Sequence, residues 1–297
     1  MKVKSVAATV VAALCVAGVV AAGSSARVVH GATALEAKPA HGFVPSRAAN
    51  HAKVRRTSQL LWSGGPVMHA TTVVPVYWGS RWSNSSFVGD KMSGLDRFYS
   101  GVGGTAYART NGEYTDSSGS VNTSSISRSG DLTDTSATPS GAPSTTQVLQ
   151  EVSKVTGGRP VANAYYPVYS DQPRGGAGYC AWHSSGTIGG VRVQFGFFFN
   201  LDGDLNCDPG SPSSLGHSQG LAALANVSGH ELSEMLTDPQ LNAWYDRQGN
   251  ENADKCAWTF SGTVAIGGQS WKIQGNWSNA AASAGTGYAN GGCIETG

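Results

Sequence analysis

Three side chains able to bind or move ions share one turn of sequence, His230-Glu231-Leu232-Ser233-Glu234. Residues at i and i+4 of an α-helix stand above one another on the same face, so the His230 imidazole and the Glu234 carboxylate can point at a single cation. Glu231 then lies beside that cation, where a carboxylate can take a proton from a water the ion has acidified. The chemistry this allows is metal-assisted hydrolysis. A plain i,i+4 polar pair on an amphipathic helix is the alternative, and it needs no ion. With one imidazole and carboxylates as ligands a divalent ion is nearly neutralised, so its water is less acidified than at a three-histidine zinc. The imidazole makes Zn2+ the expected metal, and the hard oxygen ligands are also compatible with manganese or calcium.

The turn must be carried by a helix, and its surroundings read as one. Leu221, Leu224, Ala225, Val227, Leu232, Met235 and Leu236 recur at mostly helical intervals, and Pro239 after Asp238 ends the run. Gly229 costs that helix on the order of 1 kcal/mol relative to Ala, so something is expected to approach closely there. The layout is that of the zinc-peptidase H-E-x-x-H helix with Glu in place of the second His. A third ligand is then required, and a partner to orient the histidine. Asn250-Glu251-Asn252-Ala253-Asp254 resembles the second metal segment of thermolysin-like gluzincins, with the Glu-to-Asp spacing one residue shorter. The resemblance implies Glu251 as third metal ligand and Asp254 as the outer carboxylate. Their roles are exchangeable, and Asp246, Asp238 and His217 are substitutes. Tyr245 or His183 is expected to polarise a substrate carbonyl.

A second oxygen-rich stretch, with Asp202, Asp204, Asn206 and Asp208 at alternate positions, is a possible Ca2+ loop. Cys207 stands where such a loop has glycine, and Ser213 where a bidentate acid is expected, which excludes an EF-hand. A strand-ending turn rich in Asp and Asn is the simpler reading.

Residues 1–26 read as a signal peptide, with Lys2 and Lys4 ahead of an apolar run and small residues before Arg27. The run is at the lower edge of a membrane-spanning length, so a stable membrane anchor is the weaker reading. Residues 27–58 hold six Lys or Arg against Glu36 alone and read as a basic flexible extension or prosegment. The remaining 59–297 carries twelve basic and eighteen acidic residues, which argues against a nucleic-acid partner. Beyond the signal four cysteines remain, Cys180, Cys207, Cys256 and Cys293, an even number suited to an oxidising compartment. Three pairings are open. The sequential one, Cys180 with Cys207 and Cys256 with Cys293, closes two moderate loops and is favoured over a Cys-based zinc site.

Strand-type runs at 71–78, 161–169 and 191–199, and a hairpin about Gly267-Gly268, interleave with helical periodicity at Phe87 to Tyr99, Val148 to Val155 and the motif helix. This predicts an α+β fold, or an α/β sandwich, with a mixed sheet, flanking helices and long Gly/Ser-rich loops. The Ser- and Thr-rich stretch 116–144 reads as a long exposed excursion.

Leu61-Trp62-Ser63-Gly64-Gly65-Pro66, Val76-Tyr77-Trp78-Gly79 with Trp82, Gly178-Tyr179-Cys180-Ala181-Trp182 and the late Cys293 together resemble the phosphate-induced protein 1 or EXORDIUM family. The His230 to Glu234 turn and Asn242-Ala243-Trp244-Tyr245 are similar to its bacterial branch. The resemblance implies a single extracellular domain over 59–297. Two functions are therefore expected. One is a secreted zinc-dependent metallohydrolase, a peptidase acting on protein or peptide, with His230, Glu234, Glu251 and Asp254 at the metal and Glu231 and Tyr245 in catalysis. The other is a non-catalytic signalling or binding protein associated with a cell-wall component.

Overall fold

The longest apolar runs become neighbouring strands of one nine-stranded mixed sheet. In the computed structural model, which describes residues 33–50 and 58–297, its strands are β1 (Leu35–Ala37), β2 (His41–Pro45), β3 (Thr71–Val73), β4 (Val76–Trp78), β5 (Ile126–Arg128), β6 (Leu132–Asp134), β7 (Ala164–Pro173), β8 (Tyr179–Ile188) and β9 (Val191–Asn200). The expected 71–78 strand is split at Val74-Pro75, because proline has no N–H to give a ladder; the Pro75 carbonyl instead accepts from Leu132 N at 2.9 Å.

β7 runs parallel to β9 on one side and to β3 and β4 on the other, and β5 and β6 extend the parallel part. β8 is antiparallel to β9. Gly189 and Gly190, both at positive φ, join β8 to β9 in the two-residue turn that matches strand twist. The second predicted hairpin also forms, with Ile266 opposite Gln269 across Gly267-Gly268.

Three helices matter for the site: α1 (Lys91–Gly101), α2 (Thr145–Val155) and α3 (Gln219–Thr237). α2 places Leu149 against Gly186 of β8, while α3 places Glu234 beside His183 of the same strand. Alternate strand positions face opposite ways, so helices cover both faces and the α+β sheet is buried between them. This accounts for β8, whose polar His183, Ser184 and Ser185 are all buried. A hydroxyl chain, Tyr99 to Tyr169 at 2.8 Å and Tyr169 to Ser228 at 2.7 Å, ties α1, β7 and α3 through the core.

Two expectations are corrected. The 116–144 stretch is not wholly an exposed excursion: β5 and β6 in it extend the sheet, and Ile126 is buried. Residues 33–50 of the basic lead do not behave as a flexible extension. β1 and β2 both pair antiparallel with β8, supplying partners to an edge that would otherwise leave its backbone groups unpaired. Residues 27–32 and 51–57, and the signal peptide expected at 1–26, lie outside the described residues. The disulfides are Cys180–Cys207 and Cys256–Cys293, and no helix among the described residues is long and apolar enough to cross a membrane.

Candidate metal centre

α3 starts where Ser218 accepts the Leu221 amide and ends at Asp238, ahead of Pro239. All residues from Gly220 to Thr237 are buried, so its polar members His230, Glu231 and Glu234 are held in the protein interior. Gly229 is needed for packing: a Cβ there would lie 2.8 Å from both Ile273 Cγ2 and the Tyr107 hydroxyl. The close neighbours are core side chains.

The opposing donors come from the loop after α3. Asp246 accepts the Gln248 and Asn250 amides and an ion pair from Lys255 at 3.2 Å, which folds the loop back. Glu251 N then donates to Asp254 Oδ2 at 3.2 Å, and the Cys256–Cys293 bridge pins the short helical turn Asp254–Cys256. Glu234 Oε1 receives the Asp254 amide at 2.9 Å and stands 2.9 Å from His230 Nε2. Asp254 Oδ1 lies 4.0 Å from the same nitrogen. His230, Glu234 and Asp254 thus form one triad whose ligand atoms all fall within 4.8 Å.

Glu251 turns the other way. Its Oε2 is 2.7 Å from His41 Nδ1 and 2.9 Å from His183 Nε2, and these residues form a second triad. A third group joins His183 and Glu234 to Glu231. Of the two arrangements the sequence left open, the structure places Asp254 beside His230 and Glu234, and Glu251 in the neighbouring set. The reason is local, since the turn that closes on Asp254 Oδ2 points the Glu251 side chain toward β8 and β2.

Burial sets the electrostatics. It pushes Glu231 and Glu234 well above the usual carboxylate range, and the surrounding acids push the same way. Burial also raises Glu251, but His183 and His41 outweigh it and bring that carboxyl down to about 2. The hydrogen bond to Glu251 lifts His41 to about 9, whereas burial lowers His230 to about 4. Both Glu231 oxygens, Glu234 Oε2, Glu251 Oε1 and His230 Nε2 are buried without a hydrogen-bond partner of good geometry. Such groups cost free energy unless something pairs with them, and a cation among them is the chemically matched partner.

Behind His230, Gln274 Nε2 lies 2.8 Å from Nδ1 and also donates to the Ala253 carbonyl at 3.0 Å. With that amide orientation the imidazole proton sits on Nε2, facing Glu234. Metal ligation through Nε2 requires the proton on Nδ1 and the Gln274 amide turned to accept it.

The other expected residues lie apart from these triads. Tyr245 sits on a short strand opposite Leu61 and makes no side-chain hydrogen bond with the cluster, so the structure gives it no catalytic contact. His217 stacks on Trp271 at 4.0 Å, and Asp246 is held by Lys255. Asp238 caps the end of α3, accepting the Asn242 and Ala243 amides at 2.6 and 2.7 Å; burial raises its carboxyl to about 8. In the calcium-like loop Asp202 pairs with Lys91 and Asp204 with Arg174 at 2.6 Å, while Asp208 accepts the Gly210 amide at 2.7 Å. His183 enters as a candidate ligand instead of a carbonyl polariser. His41 was not expected at all. The Gly189-Gly190 turn ahead of an apolar strand was the available signal for β8, and hence for His183.

No protein-family model, curated protein or solved structure matches the chain.

Proposed function

We propose that the chain is an exported zinc-dependent hydrolase acting on peptides, with the ion held by His230, Glu234 and Asp254 and with Glu231 as general base. Glu231 carries this reading. A cation bound only to brace the fold needs ligands, and the two triads already supply them without Glu231. Yet this carboxylate is buried, has no side-chain hydrogen-bond partner among the described residues, with the Val44 backbone as a polar contact, and lies in one group with Glu234 and His183. Its cost is offset if it accepts a proton from an ion-bound water, and burial suits it to hold that proton near neutral pH. The ion would lower the pKa of the water and stabilise the oxyanion. The peptide class comes from the resemblance of the turn to zinc-peptidase helices, and the extracellular place of action from the signal-like leader and the paired cysteines.

The burial of His183, His230, Glu231, Glu234 and Glu251, each at 1% exposure or less, favours a second reading: a structural ion in a non-catalytic extracellular protein related to the EXORDIUM family. Of the donors only His41 and Asp254 reach solvent appreciably, at 35% and 9% of their side chains, so a substrate must approach from their side.

One experiment separates the readings. The zinc-loaded protein is assayed on an unstructured protein substrate beside Glu231→Gln, with bound metal measured in both. Hydrolysis that falls by about 10²-fold or more in Glu231→Gln at unchanged metal content supports the hydrolase. Bound zinc with no hydrolysis by the parent protein supports the structural ion.

A further inference from the structure

We infer that His41, His183 and Glu251 hold a second divalent cation beside the first, with the Glu234 carboxylate bridging the two. This rests on the cation-binding part of the function proposed above and is independent of whether the centre is catalytic.

The arrangement of the donors carries it. Seven candidate ligand residues crowd this region in three triads: His41/His183/Glu251 and His230/Glu234/Asp254 share no residue, and His183/Glu231/Glu234 links them. The triads meet at Glu234. Its Oε1 faces His230 Nε2 at 2.9 Å, and its Oε2 faces His183 Nε2 at 3.6 Å with no hydrogen-bond partner. A carboxylate that gives a different oxygen to each of two imidazoles is placed as a bridge between two ions, which in hydrolytic pairs lie about 3.5–4 Å apart.

Charge points the same way. Glu231, Glu234, Glu251 and Asp254 bring four carboxylates into this cluster, all but Asp254 fully buried. With neutral imidazoles as ligands, one divalent ion leaves half of that charge unbalanced in a dry interior, and two neutralise it. The second position, with imidazole nitrogens and a carboxylate oxygen, suits zinc or another borderline divalent ion such as cobalt, and its carboxylates also accept the harder manganese ion.

The fold builds this position from three distant pieces. The ladder sets His41 of β2 opposite His183 of β8, and the loop after α3 delivers Glu251 from below. Gly42, at φ +53, lets β2 come this near: a Cβ on it would meet Glu234 Oε2 at 1.9 Å and His183 Nε2 at 2.6 Å. The partly exposed His41 ring gives a cation a way in.

The test is metal stoichiometry. The chain is stripped with chelator, reloaded with Zn2+ and, separately, Mn2+, dialysed, and its metal counted per protein by mass spectrometry. Two ions in the parent, one in His41→Ala, and an exchange-coupled electron paramagnetic resonance signal in the manganese form support the second site. One ion in the parent overturns it while leaving the hydrolase proposal standing, and His41 then serves as an imidazolium paired with Glu251. No bound ion overturns both. If His41→Ala does not fold, judged by circular dichroism, the parent stoichiometry and the manganese signal still decide.

Discussion

The turn at the end of α3 and the 202–208 loop are both rich in oxygen donors, and they end in opposite states. In the loop every acid has found a partner: Asp202 takes Lys91, Asp204 takes Arg174 at 2.6 Å, and Asp208 binds the Gly210 amide. Around α3 the carboxylates of Glu231 and Glu234 are fully buried, and oxygens on both remain unpartnered. Both regions gather acidic side chains within a few residues of one another. What distinguishes a candidate cation site is whether the fold supplies its own cations first.

Removing metal should therefore separate the two regions most strongly. If the centre binds zinc about 1,000-fold below the loading concentration, occupancy contributes about 4 kcal/mol. Chelation then lowers Tm by on the order of 10 °C. The gap should widen with pH. In the metal-free fold Glu231 and Glu234 hold their protons well above the usual carboxylate range, while the unfolded chain releases them near 4.5. Their contribution to stability is thus complete below pH 4.5 and declines as pH rises. His41, lifted to about 9, adds stability below 6.5 that is lost on the way to 9. Metal ligation needs deprotonated donors and strengthens over the same range. Melting curves at pH 5 and pH 8, with and without chelator, check this. Equal curves at both pH values would make the α3 cluster a self-satisfied network like the loop.

A smaller effect tests how closely β2 is fitted to the cluster. Gly42→Ala places a methyl where Glu234 Oε2 already lies, 1.9 Å from the new carbon, in a backbone conformation that costs Ala about 1–2 kcal/mol by itself. Gly268→Ala is the matched control, with φ +74 and nothing within 4 Å of its Cβ. The control should lose only the backbone cost, about 1–2 kcal/mol. Gly42→Ala should lose about 2 kcal/mol more and at least tenfold in zinc affinity, read by denaturant melts and competition with a chelating dye. Equal losses in the two variants would mean that β2 can shift away from the donors freely.

The sequence carried the half of the centre that is local. His230, Glu231 and Glu234 follow from helical spacing, and Glu251 and Asp254 from the resemblance of their segment to the second metal segment of gluzincins. The choice between those last two was hidden, because it depends on which oxygen closes a turn on the Glu251 amide. His41, and the place of His183 beside it as a candidate ligand, were out of reach for a different reason. A strand pairing 142 positions long in sequence joins them, and β8 has no alternating pattern, because both its faces are buried under helices. The partners of the calcium-like loop were hidden by the same distance, since Lys91 lies 111 residues from Asp202 and Arg174 lies 30 from Asp204.

That loop provides the mildest test. Asp204 Oδ2 accepts from Arg174 Nε at 2.6 Å, and its Oδ1 accepts the Asn206 amide at 3.0 Å. Both side chains are only partly buried, at 17% and 10% exposure, so the pair is worth about 1 kcal/mol after solvent screening. Asp204→Asn keeps the amide bond and weakens the ion pair. It should lower Tm by about 2–4 °C. The loss should be the same with and without chelator, and bound metal per protein should not change. A chelator-dependent loss would mean that the loop also holds an ion and that its pairing with Lys91 and Arg174 gives way to one.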